Sequence, residues 1–188
     1  ALSPHVSGQD HIALYLYNGN EYMESAYGAY RARAVPINVN YRYVEEELIY
    51  LLTNSNATAI VYHATFAPRV AAIRPHLPAL QHFVQVADGS DEPLLDGAVD
   101  YETLLAASSP EIADLPYSAD DLYILYTGGT TGMPKGVMWR QEDVFFNGLG
   151  GHNPGLPRME TRDILTEMVT MGLGGRAIVG APFMHGAG

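Results

Sequence analysis

The residues best suited to chemistry lie in one stretch, Thr127-Gly128-Gly129-Thr130-Thr131-Gly132-Met133-Pro134-Lys135-Gly136, ten positions that hold four glycines, three threonines and one lysine. Glycine admits positive φ and has no side chain to keep an anion away, so successive backbone N–H groups can converge on phosphate oxygens. Threonine hydroxyls can donate to the same oxygens or ligate Mg²⁺, and Lys135 brings a mobile positive charge without fixed planar geometry. The composition is that of a phosphate cradle. A P-loop of the helix-capping kind would end Gly-Lys-Ser or Gly-Lys-Thr. Here the lysine follows proline and precedes glycine, so that class fits poorly. A glycine-rich hairpin with no ligand is the alternative that composition alone leaves open.

The loop must be held by its flanks. Leu122 to Tyr126 carries aromatic and branched residues and predicts a buried strand; Val137 to Trp139 predicts a short second one. Upstream, strands are expected over His11–Tyr17, Val35–Val39, Ala57–Tyr62 and His82–Val86. Helices are expected over Glu21–Ala34, closed by Pro36, and over Val44–Thr53, Ala67–Ile73 and Tyr101–Ala107. The Glu45-Glu46-Glu47 run reads as a solvated face beside a helix N-terminus. Alternating strand and helix imply an α/β fold, a mostly parallel sheet with flanking helices. Ser108–Asp121, with two prolines and four acidic residues, reads as a connector to the loop. Residues 1–119 are therefore expected to form a strand-helix subdomain with its connector, and residues 120–188 to begin a second. Beyond Trp139 the pattern predicts helices at Glu142–Leu149 and Arg162–Met171 and a strand at Ala177–Pro182.

The 188 residues are 47% apolar, enough for a core, and carry 21 acidic against 10 basic groups, a net charge of −11. That balance lacks the clustered Lys and Arg of a nucleic-acid surface. It also repels ATP, so a nucleotide site must concentrate its positive groups locally and use a divalent cation. No cysteine is present, which excludes disulfides and thiolate metal sites. No apolar run is long enough for a membrane span, and no signal-peptide pattern opens the chain. A cytoplasmic setting is the default.

The order Tyr126-Thr127-Gly128-Gly129-Thr130-Thr131-Gly132-Met133-Pro134-Lys135-Gly136-Val137 resembles the phosphate-binding loop of adenylate-forming enzymes, the superfamily of acyl-CoA synthetases, luciferases and peptide-synthetase adenylation domains. Most members have serine where this chain has Gly128, a change that removes one hydroxyl and keeps the glycine framework. Resemblance extends through LYLYNGNEYMESAYGAYRARAVPINVNYRYVEEELIYLL to APFMHGAG at residues 181–188, and is nearest to bacterial acyl-CoA synthetases acting on fatty or bulky acids. It implies part of the large N-terminal AMP-binding domain. ATP, Mg²⁺ and coenzyme A are implied as cofactor and co-substrates, and a small carboxylic acid as substrate. The implied phosphate-binding residues are Thr127, Gly128, Gly129, Thr130, Thr131, Gly132 and Lys135. Thr127 would also meet the metal, and Lys135 and His185 would take part in catalysis, His185 as a wall of the acyl pocket.

By the same resemblance, the later motifs for adenine, ribose and the magnesium glutamate, and the C-terminal lid domain with its catalytic lysine, have no counterpart here. The chain is expected to be a truncated piece with negligible synthetase activity alone. A non-catalytic binding or interaction module, and a different phosphate enzyme, are the competing readings; the latter lacks a catalytic aspartate motif or metal cluster. The other histidines show no metal-ligand spacing, and Trp139 reads as packing. A homodimer remains compatible with the sequence.

Overall fold

The computed structural model describes residues 8–111, 114–127, 132–148, 162–172, 181 and 183–184. Among these residues the strands form one seven-stranded sheet. In chain order the elements are β1 (His11–Tyr15), α1 (Asn20–Arg31), β2 (Val35–Asn38), α2 (Glu45–Asn54), β3 (Ala59–His63), α3 (Ala67–Ile73), β4 (His82–Val86), β5 (Val99–Asp100), α4 (Tyr101–Ala107), β6 (Leu122–Thr127), β7 (Lys135–Arg140), α5 (Gln141–Asp143) and α6 (Arg162–Thr170). A π-turn over Val144–Gly148 continues α5, so the helix expected there is short and irregular. The strand expected at Ala177–Pro182 lies almost entirely outside the described residues.

Across the sheet the order is β5-β4-β3-β1-β2-β6-β7. The first six strands of that order run parallel, and β7 returns antiparallel to β6. Strand alternation sends neighbouring side chains to opposite faces. Ala13 and Tyr15 therefore join one core with Ile37, Leu48, Leu51, Ile60, Val70 and Tyr126. Leu14 and Leu16 join the other with Tyr22, Val61 and Tyr101. Helices α2 and α3 cover the first face; α1 and α4 cover the second. Both faces of β1 are buried, as a central parallel strand requires.

Local endings depart from the expected pattern for physical reasons. Helix α1 stops at Arg31, because Arg33 takes a left-handed φ of 55° and turns the chain into β2. Pro36 lies inside β2 and does not terminate the helix. Val35 N–H donates to Asp10 C=O at 2.7 Å and Val39 N–H to Leu14 C=O at 3.1 Å, so the odd-numbered amides of β2 face β1. The nitrogen of Pro36 turns toward β6, where main-chain pairing is confined to Ile37 opposite Ile124. In α2, Leu48, Leu51 and Leu52 face inward as expected, while Glu47 is more than a solvated charge: its Oε2 accepts the Val44 N–H at 3.0 Å and caps the helix.

Candidate functional site

Strand β6 delivers the chain to the carboxyl end of the parallel sheet, the end where open α/β sheets bind ligands. Its last residue, Thr127, stands opposite Lys135, the first residue of β7, and Tyr126 stands opposite Gly136. Directly opposed residues of an antiparallel pair share a face. The side chains of Thr127 and Lys135 are therefore neighbours on the face of Tyr123, toward α1, whose Tyr30 ring meets Tyr123 edge-on at 6.3 Å. Both are exposed, and the Thr127 hydroxyl makes a long 3.5 Å bond to Lys135 C=O.

Strand β7 begins two residues earlier than its apolar pattern suggests. The main chain of Lys135 is a rung of the ladder, so the amides that can cradle phosphate lie between residues 128 and 134. Gly128, Gly129, Thr130 and Thr131 fall outside the described residues, as does His185. Gly132 is described and exposed. Nothing within 4 Å would meet a Cβ placed on it, which leaves room for a ligand beside its backbone. Trp139 is opposite Tyr123 and 45% exposed, so it does not pack as expected. Strand β6 is only half buried, because no described element covers its outer neighbour β7.

Behind the loop is a group of side chains that sequence reasoning passed over. Asn38 ends β2, is 2% exposed, accepts the Tyr126 N–H through Oδ1 at 2.7 Å, and donates from Nδ2 to Tyr126 C=O at 3.3 Å and to Met184 C=O. Beyond the end of β1, Asn18 donates to Ala181 C=O at 2.9 Å and accepts the Phe183 N–H at 2.7 Å. Tyr22 OH donates to Phe183 C=O at 3.2 Å, and burial pushes that phenol well above its ordinary value. The short segment that precedes His185 is thus anchored beside the strand that carries the phosphate loop. The one signal available was an asparagine closing an otherwise apolar strand, Val-Pro-Ile-Asn.

Cavities lie among the described residues. One of about 520 Å³ lies on the opposite face of the hairpin, among His11, Asn54, Leu122, Tyr126, Gly136 and Met138. There burial pushes the Tyr126 phenol up to about 12, and its OH donates to Asn54 Oδ1 at 2.6 Å. Another, of about 450 Å³, lies among Tyr17, Tyr41, Glu45, Phe66 and Arg69. Lys135 and Thr127 line neither of these two. Among the described residues no group of three His, Asp or Glu side chains is placed to hold a metal. Thr127 alone is a sparse donor set, and it fits Mg²⁺ only in company with phosphate oxygens and water, which is how Mg²⁺ is usually held.

A family model described as "AMP-binding enzyme" matches residues 2–188. The medium-chain acyl-CoA ligase Mig of Mycobacterium avium is 52% identical over 189 residues, covering 100% of this chain and 34% of that protein. The 3-oxocholest-4-en-26-oate–CoA ligase of Rhodococcus rhodochrous is 47% identical over 137 residues, covering 72% of this chain and 25% of that protein. The inhibitor-bound N-terminal domain of FACL13 from Mycobacterium tuberculosis superposes with a TM-score of 0.61 at 28% identity, over 72% of this chain and 32% of that one. The chain thus spans about a third or less of the length of the proteins it matches.

Proposed function

Because the chain belongs to the AMP-binding enzyme family, we propose that it supplies the phosphate-binding part of an acyl-CoA ligase working in the cytoplasm with ATP, coenzyme A and a carboxylic acid. In the first half-reaction an acid oxygen bonds to the α-phosphorus of ATP while the bond to pyrophosphate breaks, giving acyl-AMP. In the second, the thiol of coenzyme A loses its proton, attacks the acyl carbon and displaces AMP. The first step needs two anions aligned and the charge on departing pyrophosphate neutralised. The amides from Gly128 to Gly132, the hydroxyls of Thr130 and Thr131, and Lys135 would meet that charge. Thr127 would hold Mg²⁺ jointly with the phosphates, and the ion would add further neutralisation. His185 would wall the acyl group.

The observation that carries this reading is the register that sets Thr127 beside Lys135 across the mouth of the Gly/Thr loop. The names of the two ligases above support a medium-chain fatty or sterol-derived acid as substrate. The test is acid-dependent exchange of pyrophosphate into ATP by the full-length protein, over a panel from medium-chain fatty acids to steroid side-chain acids. At least one acid should support exchange, and Lys135→Ala should lower its kcat about 100-fold, as expected for loss of a charge that stabilises the transition state. Exchange absent with every acid, or indifferent to the acid, would overturn the reading.

A further inference from the structure

We propose that Asn38 is a positioning residue for the adenylation step: its carboxamide sets the strand feeding the phosphate loop and the segment leading to His185 at one fixed separation. The inference rests on the ligase reading above. Its basis is the way β2 and β6 are joined. Strand residues two apart direct their amides to the same neighbour, so Leu122, Ile124 and Tyr126 all present N–H groups to the β2 side. Main-chain pairing serves the middle of that row, at Ile37 and Ile124. The ends are served by side chains: Leu122 N–H donates to Gln9 Oε1 at 2.8 Å, and Tyr126 N–H to Asn38 Oδ1 at 2.7 Å.

A carboxamide has the donor and acceptor of a peptide group, and Asn38 continues the ladder where the two backbones diverge. It also has a hydrogen that a peptide lacks. One N–H reaches Tyr126 C=O and the other Met184 C=O, so both donors and the carbonyl are engaged at a buried position. Asn18 and Tyr22 hold Ala181 and Phe183, but of these three side chains Asn38 is the one that also grips β6. Tyr126 is two residues before Gly128, and Met184 immediately precedes His185. Among the described residues, the Asn38 amide therefore ties the strand that leads to the phosphate loop directly to the acyl-side segment.

Two variants of the full-length protein test this. Asn38→Ala removes all three bonds. Asn38→Asp keeps the acceptor for Tyr126 N–H but sets a carboxylate against two carbonyl oxygens. Both should lower kcat for acid-dependent pyrophosphate exchange, per folded molecule, by about 100-fold, with the KM for ATP changed less than about threefold, the mark of lost alignment rather than lost binding. Asn38→Asp should recover part of the loss as pH is lowered, when its protonated carboxyl can donate again, whereas the unaltered protein should not gain. Hydrogen exchange supplies a second readout that needs no catalysis. In Asn38→Ala the amide of Tyr126 and those of Phe183 and Met184 should both exchange faster, with β3 and β4 unchanged.

A kcat per folded molecule within about twofold of the unaltered protein would overturn the proposal, as would unchanged exchange at either segment. If the unaltered protein catalyses no acid-dependent exchange, the ligase reading fails by itself. Paired loosening of the two segments would then still support the junction, and its absence would still overturn it.

Discussion

A Cβ placed on Gly136 would stand 3.0 Å from Cε2 and Cζ of Tyr126 and 3.1 Å from Cγ2 of Ile124. The last glycine of the loop motif is thus required by the aromatic ring lying across it, whatever the loop binds. Gly136→Ala should force that ring aside and cost about 1–3 kcal/mol, the usual penalty for overpacking. A urea or thermal unfolding transition would measure it, and an unchanged midpoint would show that the ring relocates freely. Lys135 and Thr127 could be singled out from sequence because their chemistry is written in their residue types. Asn38 was marked only by closing an apolar strand, a weak signal, since an asparagine ahead of Val-Asn-Tyr reads locally as a turn former. Its partners are 88 and 146 residues away, and no local pattern encodes a contact of that range.

Strands and helices of the first half were legible because apolar spacing changes with each element, and α2 buries Leu48, Leu51 and Leu52 as that spacing requires. Their ends were less legible, as Arg33 and Pro36 show, because a left-handed turn at a non-glycine residue leaves no mark in composition. The end of β3 has a titratable residue whose role also needed coordinates. His63 is buried, and its Nδ1 accepts the Tyr17 N–H at 3.0 Å. Burial holds its pKa below the ordinary 6.5, against the opposing pull of Asp88 and Glu21. The unfolded chain therefore takes up this proton first. Stability should fall as pH drops below about 6.5 and level off once the folded state also protonates. His63→Asn keeps an acceptor at that place without the titration, and should flatten the denaturation midpoint between about pH 7 and 5. An equal pH dependence in both proteins would refute the assignment.

At the scale of the whole molecule, the α/β class and the parallel order followed from alternation of elements, whereas the register, the two-residue β5 and the side-chain joint between β2 and β6 did not. Arg33 and Asp121 close that joint at the loop-distal end, with a 2.6 Å contact and a second bond from Nε at 3.0 Å. Burial would raise the Asp121 carboxyl, but the Arg33 hydrogen bonds, the Ser118 amide and the Arg33 charge together hold it below 3.8. Its contribution is therefore present above that value and lost as pH falls through the carboxylate range. Asp121→Asn should lower stability near neutral pH by about 1–2 kcal/mol and make the acid limb of the stability profile shallower. Thermal unfolding across pH would test both, and an unaltered acid limb would count against the pairing.

Because Pro36 has no hydrogen to give, the border between the five strands on one side and the hairpin on the other is sewn mainly by Gln9, Asn38 and Arg33. Such a seam can be retailored by point substitution alone. The fit of the two pieces can drift between descendants of this fold while every rung inside either piece keeps its place.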